Sequence, residues 1–313
     1  MASGLAILVA TRDREPHLRR LLASVVALAG FDRVRPAVVV VDDGSTDGTA
    51  ALARATAAAH PTVRHLAVPA GGKSRALNVA IRRTAAERYA FVDDDVALDP
   101  QWLVAIEAYG ARHPAFAAAQ GTIRIAPEAE AQPSVVAAIE RWHTIPRCDY
   151  GPTAVEAPSL IGANMLIARR TFARVGLFDE RLGPGAAGAS EDTELALRIR
   201  AAGERIGYVA DAIAYHAVEP DRLGPAYFRA LHEARGRSRV HYKFDAHRSP
   251  LAVALRVFPD AARAAVGVAL TSLGGRGEPH RRALARWYHY RAMLAAGRGA
   301  RRSDGVPRLD DDT

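Results

Sequence analysis

The chain contains a single cysteine, Cys148, so no intramolecular disulfide can form and a zinc cage built from several thiolates is excluded. A reducing compartment is expected, and the cytoplasm fits best. No uncharged apolar run reaches the roughly 18 residues of a membrane span. The longest candidate, Leu251 to Leu273, is broken by Arg256, Asp260 and Arg263. The opening residues Met1 to Gly4 lead directly into Leu5 to Val9, too short and too uncharged at its start for a signal peptide, so a first core strand is expected there. That strand is not followed by a Gly-x-Gly-x-x-Gly turn, which argues against a dinucleotide-dependent dehydrogenase. Thr11 to Glu15 also lacks the glycine- and lysine-rich loop that a nucleotidyltransferase would place there. No internal repeat is visible.

What is present suffices for a folded core. The 313 residues are 49% hydrophobic and 24% charged, values of a globular protein with room for one α/β domain and an appendage. The net charge of +8 is unevenly distributed, because residues Arg222 to Arg302 hold 17 Lys and Arg against 4 acids. A basic end of this kind suits anionic lipid or a phosphorylated substrate; nucleic acid is not the expected partner. It is equally what an arginine- and alanine-rich composition would leave as a solvated face.

Apolar Leu5 to Ala10 reads as a strand, and Leu18, Leu21, Leu22, Val25 and Val26 recur at helical spacing after it. Ala37 to Val41 is nearly pure valine, as in strands buried on both faces of a parallel sheet. An alanine-rich helix runs from Thr49 to about His60, and Val63 to Val68 is a third strand. Gly71 and Gly72 precede a helix carrying Leu77, Val79, Ala80 and Ile81, and Tyr89 to Val92 is a fourth strand. Further along, a helix is expected over Trp102 to Tyr109, a strand over Ala117 to Ile125, a helix near Val135 to Trp142 and a strand over Ile161 to Ala168. Gly183 to Gly188 reads as a mobile loop before a helix that starts near Glu191, with Leu195, Leu197 and Ile199 facing inward. After His216 the pattern is mainly helical. Alternation of this kind predicts a mostly parallel sheet flanked by helices.

The sharpest chemical feature is Asp93-Asp94-Asp95 directly after a hydrophobic strand. Adjacent carboxylates repel one another, so a fold that plants three at a strand end is expected to offset them with a cation such as Mg or Mn. A hard divalent ion held by one or two carboxylates completes its shell with phosphate oxygens, which points to a diphosphate ligand. Open α/β sheets bind ligands at this end of their strands. Asp42-Asp43-Gly44-Ser45, at the end of the valine strand, could accept hydrogen bonds from a base or a ribose, or serve as an ordinary strand-to-helix turn.

Taken in order, Leu5 to Arg12, Val39 to Gly48, Gly72 to Asn78, Phe91 to Asp95, and Gly162-Ala163-Asn164 through Glu191-Asp192 resemble the successive motifs of family two glycosyltransferases. The likeness covers roughly residues 5 to 220 and rests on the ordered combination. It implies a GT-A fold, Rossmann-like, and inverting transfer of a single sugar from a nucleoside diphosphate sugar to a hydroxyl. It further implies a divalent Mn or Mg held by the aspartate motif. Position by position, Thr11, Arg14 and Asp43 would line the nucleoside pocket. Lys73, one of two lysines in the chain, would lie near the nucleotide. Asp94 would touch ribose or metal, Asp95 would be the main metal ligand, and Asp93 would complete the motif at nucleotide and metal. Asp192 would be the general base with Glu191 orienting the site, and His216 would touch metal or pyrophosphate. Gly162 and Asn164 would border the donor and acceptor pockets. Arg235, Arg237 and Arg239 either supplement the diphosphate site or are solvated. The Gln-x-x-Arg-Trp motif of processive synthases is absent, which favours single transfer.

The expected organisation is a transferase domain over 1–220, a basic helical extension over 221–302 and a disordered tail over 303–313. The acceptor would belong to a cell-envelope glycan, a lipid-linked intermediate or a secondary metabolite. Leu251 to Leu273 either lies on the inner face of the membrane or packs as an added helical subdomain. A non-catalytic sugar-nucleotide-binding or membrane-surface scaffold is the alternative function.

Overall fold

The computed structural model describes residues 3–244, 249–275, 277–297 and 306–309. Its first half alternates β1 (Ser3–Thr11), α1 (Glu15–Val26), the short α2 (Phe31–Val34), β2 (Ala37–Asp42), α3 (Thr49–Ala59), β3 (Val63–Ala67), α4 (Lys73–Arg83) and β4 (Ala86–Val92). There follow β5 (Val96–Leu98), α5 (Trp102–Arg112), β6 (Ala118–Ile125), α6 (Pro127–Glu130), α7 (Pro133–Trp142), β7 (Asn164–Ala168), α8 (Arg169–Val175), α9 (Glu191–Ala201) and β8 (Ile206–His216). A 3-10 turn, Pro220–Arg222, leads to α10 (Pro225–Lys243), α11 (Pro250–Leu273) and α12 (Glu278–Gly297).

The eight strands form one sheet in the order β3-β2-β1-β4-β7-β6-β8-β5. β3, β2, β1 and β4 are mutually parallel, as the βα alternation predicts, and β6 is parallel to β8. Val38 to Val41 are all completely buried, which explains the unbroken valine run: a central strand covered on both faces has no polar position to spare. β7 runs antiparallel to both neighbours and β5 antiparallel to β8. Three-residue β5 was not foreseen, because so short a strand carries no readable period.

This topology gathers the chemistry at one edge. Thr11 pairs with Asp42 at the carboxyl ends of β1 and β2, and Asp93 follows the end of β4. Because β7 enters the sheet reversed, its first residue, Asn164, pairs with Val92, and the turn before it reaches the same edge. β5 folds back on β8 so that Val96 pairs with His216, bringing that histidine beside Asp95 across about 120 residues of chain.

Inside α9 the expectation needs one correction. Leu195 and Ile199 are buried, but Leu197 is exposed, since residues two apart point to different sides of a helix whereas i and i+4 share a face.

The three last helices have a small core of their own, formed by Val240, Phe244, Val253, Val257 and Met293, with α12 packed against both α10 and α11. Gly236 permits the α10 to α12 approach, because a Cβ there would lie 2.2 Å from His289 O. On its other side α10 holds the 183–190 loop: Ser238 Oγ donates to Ala189 O at 2.6 Å and Arg237 Nε to Ala187 O at 3.3 Å. Among the described residues, no helix is long and apolar enough to cross a membrane. Of the expected tail, residues 306–309 lie against the sheet domain, where Leu177 N donates to Pro307 O at 2.8 Å; 303–305 and 310–313 lie outside the described residues.

Candidate active site

A cavity of about 320 Å³ opens at the edge where β1, β2 and β4 end, and Thr11, Arg14, Asp43, Lys73, Asp93, Asp94, Asp95 and His216 all line it. Two larger clefts, of about 500 and 660 Å³, open near the first residues of β4, β6 and β8. That is the opposite end of the strands and holds no run of acids, so volume does not identify the chemical site here.

The aspartate run is neutralised from three directions. Asp94 is buried and its carboxylate accepts from Thr11 Oγ1 at 2.7 Å and Arg14 Nε at 3.1 Å. Burial pushes its pKa up to about 6, assisted by the Asp95 charge and opposed by Arg14 and Thr11. Asp95 Oδ2 accepts from Arg14 Nη2 and Arg222 Nη2, both at 3.0 Å. Burial raises the Asp95 carboxyl, but the cationic groups packed around it, Arg222 and Arg14 among them, outweigh it and hold the group below the usual carboxylate range. Asp93 Oδ1 receives the Lys73 ammonium at 2.5 Å.

Lys73 also links this group to α9, with Nζ 3.2 Å from Glu191 Oε1. Desolvation lowers its pKa, yet the Asp93 and Glu191 carboxylates more than compensate and keep it well above the ordinary lysine value. Glu191 is raised mainly by burial. The neighbouring Asp192 uses Oδ1 to accept from Thr193 N at 2.6 Å and Oδ2 to accept from Gly162 N at 2.9 Å. A Cβ at Gly162 would stand 3.0 Å from Lys73 Nζ, 3.8 Å from Asp93 Oδ1 and 3.9 Å from Asp192 Oδ2. The acids of the β4 end and of the α9 start therefore converge on one point. The first turn of a helix favours such carboxylates through the axial dipole.

Asp43 faces the cavity with its carboxylate already engaged, accepting from Gly71 N at 2.8 Å and Gly72 N at 3.0 Å. It thereby fixes the turn that aims Lys73. Gly72 adopts φ +94°, and a Cβ there would meet Pro184 O at 3.0 Å, so this position needs glycine on both counts. Pro184 and Gly185 of the glycine-rich stretch join the cavity wall, with Pro184 O accepting from Lys73 N at 3.0 Å.

Asn164 stands apart from these residues. Its Oδ1 accepts from Trp102 Nε1 at 2.9 Å and its Nδ2 donates to Thr122 O and Ala212 O at 2.9 and 2.8 Å. All its groups are spent on joining α5 to the sheet. Conversely, Arg222, Glu219 and Tyr227 belong to the site without having been singled out. Arg222 lines the cavity with Tyr227, and Glu219 Oε1 accepts from Arg14 Nη1 at 2.9 Å. No motif announces them; the available signal was that the basic segment begins at Arg222, just after His216. Of the three arginines on α10, Arg235 feels the Asp192 charge, which opposes a larger lowering by desolvation. Arg239 interacts with Tyr242, and Arg237 holds the loop.

Among the described residues, no three His, Cys, Asp or Glu side chains form a ready cation cage, so Asp93, Asp95 and His216 are not gathered into one set: Asp93 is drawn to Lys73. The other two do meet. His216 Nδ1 lies 2.6 Å from Ala217 O, an acceptor only, which assigns the proton to Nδ1 and leaves the Nε2 lone pair for a neutral ring. That Nε2 is 3.4 Å from Asp95 Oδ1, a buried oxygen without a hydrogen-bond partner among the described residues. A carboxylate oxygen suits Mn or Mg, and an imidazole nitrogen is a better donor for the transition metal Mn than for Mg, so this pair fits a divalent ion, Mn better than Mg, whose remaining ligands come from phosphate and water.

Known proteins align with this picture. In an alignment 294 positions long that covers 82% of this chain and 90% of the relative, the chain is 29% identical to the N-acetylglucosaminyl-diphospho-decaprenol L-rhamnosyltransferase of Mycobacterium tuberculosis. Among solved structures it resembles the mannosyltransferase PcManGT of Pyrobaculum calidifontis, a complex with GDP-Man and Mn2+, at TM-score 0.60 and 20% identity over 95% of this chain and 87% of that one. It also resembles S. aureus TarS 1-349 at TM-score 0.53 and 17% identity, covering 99% of both chains. These structural likenesses establish a GT-A-type fold. Residues 2–238 match the family described as Glycosyltransferase like family 2; with that match spanning the sheet and every residue of the cavity, the chain belongs to glycosyltransferase family 2.

Proposed function

We propose that this glycosyltransferase moves a single sugar, with inversion, from a nucleoside diphosphate sugar to a hydroxyl of a lipid-linked cell-envelope intermediate. The observation that carries the reading is the convergence of Asp93, Lys73 and Asp192 around Gly162. The end of β4, read as the donor side, and the start of α9, read as the acceptor side, are brought close together there. The lipid-linked acceptor follows from the mycobacterial relative, whose name specifies a diphospho-decaprenol substrate. Residues 1–220 form the transferase domain and 221–302 its basic extension, which lends Arg222 and Tyr227 to the cavity.

Asp192 Oδ2 takes the proton of the acceptor hydroxyl. The oxygen attacks the anomeric carbon as the bond to the diphosphate oxygen breaks on the opposite face, and configuration inverts. Glu191 and the Gly162 amide keep Asp192 oriented. Lys73, Arg14 and Arg222 supply positive charge where the diphosphate leaves, in a largely buried setting that strengthens their effect. Thr11 and Asp43 shape the nucleoside side. Asp95 and His216 would hold Mn or Mg, which when bound would offset the charge of the departing diphosphate.

The test is transfer from a panel of UDP-, GDP- and dTDP-sugars with Mn or Mg, comparing the wild type with Asp95→Ala and Asp192→Asn. Metal-dependent turnover is expected, with Asp192→Asn binding nucleotide but failing to transfer. Nucleotide binding without turnover on any lipid-linked acceptor would favour a non-catalytic scaffold. Binding indifferent to Asp95→Ala would remove the assignment of the metal to Asp95.

A further inference from the structure

The long helix α11 is packed on one side only. Val253, Val257, Ala261 and Ala264 are buried, while Leu251, Leu255, Phe258, Val266, Leu270 and Leu273 are between 57% and 86% exposed. At about 100° per residue, these six fall with Pro259, Ala262 and Ala269 in a sector roughly 120° wide on the side away from the buried residues. No charged residue lies in that sector. Arg256 and Arg263, seven positions apart, stand along one border, and Arg263 Nη1 pairs with Asp260 at 2.6 Å.

An exposed apolar stripe of this extent is uncommon on a protein surface that meets only water. The helix does not qualify as a membrane span, and its other face is committed to the small core it shares with α10 and α12. The surface it fits is one it can lie along. Charge selects among such surfaces: the segment from Arg222 to Arg302 carries 17 basic residues against 4 acidic ones, which favours a negatively charged plane.

We propose that α11 docks the protein on an anionic bilayer, lying in the plane of the interface with its leucine and phenylalanine stripe among the upper acyl chains and Arg256 and Arg263 at the level of the phosphates. The inference stands on the α11 stripe and the charge of the surrounding C-terminal segment and is independent of the transfer chemistry.

Flotation of the full-length chain with vesicles tests it without any activity measurement. The protein should float with phosphatidylcholine mixed with phosphatidylglycerol and bind phosphatidylcholine alone more weakly, the difference shrinking as salt rises. The double variant Leu255→Glu with Phe258→Glu replaces two solvent-facing side chains and should keep the wild-type circular dichroism, yet bind mixed vesicles at least about tenfold more weakly. Arg256→Ala with Arg263→Ala should lower binding to mixed vesicles while leaving binding to neutral ones unchanged. Failure of the wild type to float, or equal flotation of the double glutamate variant, overturns the proposal. So does a wild-type dimer that the glutamate variant dissolves when neither protein floats, since the stripe would then join two copies of this chain.

Discussion

The amide of Gly162 donates to Asp192 Oδ2 at 2.9 Å, tying the turn before β7 to the first turn of α9. Gly162 does not have a left-handed φ, so the backbone would tolerate alanine, but the added methyl would stand 3.0 Å from Lys73 Nζ. The side chain would shift the ammonium rather than the fold. Gly162→Ala is expected to lower kcat by roughly 10- to 100-fold, as sub-ångström to ångström misplacement at a reacting centre does, with a thermal midpoint close to wild type. Steady-state kinetics with a matched melting curve checks both halves. Unchanged kcat would mean that the space beside Gly162 is not where the reacting groups meet.

Lys73 offers a test in which charge and stability move together. Lys73→Met keeps the apolar stem and removes the ammonium that faces Asp93 and Glu191, leaving the buried Glu191 carboxylate without its cation. A loss of about 3 kcal/mol of stability is expected, moderated by protonation of Glu191. Nucleotide binding should weaken at least tenfold. Denaturant unfolding and calorimetric titration with a nucleoside diphosphate measure the two effects. Lys73→Arg, which restores the charge, should recover more of the binding than of the stability, because the larger guanidinium has to fit beside Gly162, whose Cβ position is only 3.0 Å from the present ammonium.

Arg222 makes a contrasting case. It donates to Asp95 Oδ2 at 3.0 Å and pairs through Nε with Glu219 Oε2 at 2.5 Å, but it sits beyond the sheet on a short 3-10 turn. Arg222→Ala is expected to raise the KM for the donor by roughly tenfold, the cost of one charge-assisted contact to a phosphate. The change in kcat should be smaller, and the protein should retain its fold. Initial-rate kinetics over a range of donor concentrations separates these quantities. A loss confined to kcat would instead assign Arg222 to the departing charge in the transition state.

The parts of this site legible in the sequence are those fixed by strand ends. Val38 to Val41 and Tyr89 to Val92 announce buried parallel strands, and in such a sheet the residues that follow a strand share one edge, so Asp43 and Asp93 to Asp95 could be placed together. His216 and Gly162 joined them because β8 and β7 end or begin at that edge, a fact of topology that no local pattern encodes. Asn164 illustrates the reverse: as the first residue of β7, two positions beyond Gly162, it has its amide consumed by Trp102, Thr122 and Ala212. Leu197 alternates with Leu195 and Ile199, a spacing that shares a face on a strand but not on a helix, so it turns to solvent. Arg222 and Glu219 were invisible because their partners, Asp95 and Arg14, are more than 100 residues distant.

The last prediction concerns acid and the helical layer. His232 on α10 and His289 on α12 are mostly buried, and burial first, then Arg235 beside His232 and Arg239, Arg235 and Lys243 beside His289, push each down from 6.5 to about 4. His232 also stacks edge-on against Phe228, with ring centroids 4.5 Å apart. Both rings are thus neutral when folded and take protons near pH 6.5 when unfolded. The unfolded state binds more protons between those values, so stability is full above pH 6.5 and falls as the pH drops toward 4. For the pair the loss is on the order of 3 kcal/mol, less than the full linkage because both rings keep some contact with water. Thermal melts from pH 7 to pH 4 should show a declining midpoint that His232→Gln with His289→Gln flattens relative to wild type. An identical acid slope in that double variant would shift the explanation to carboxylates elsewhere in the chain.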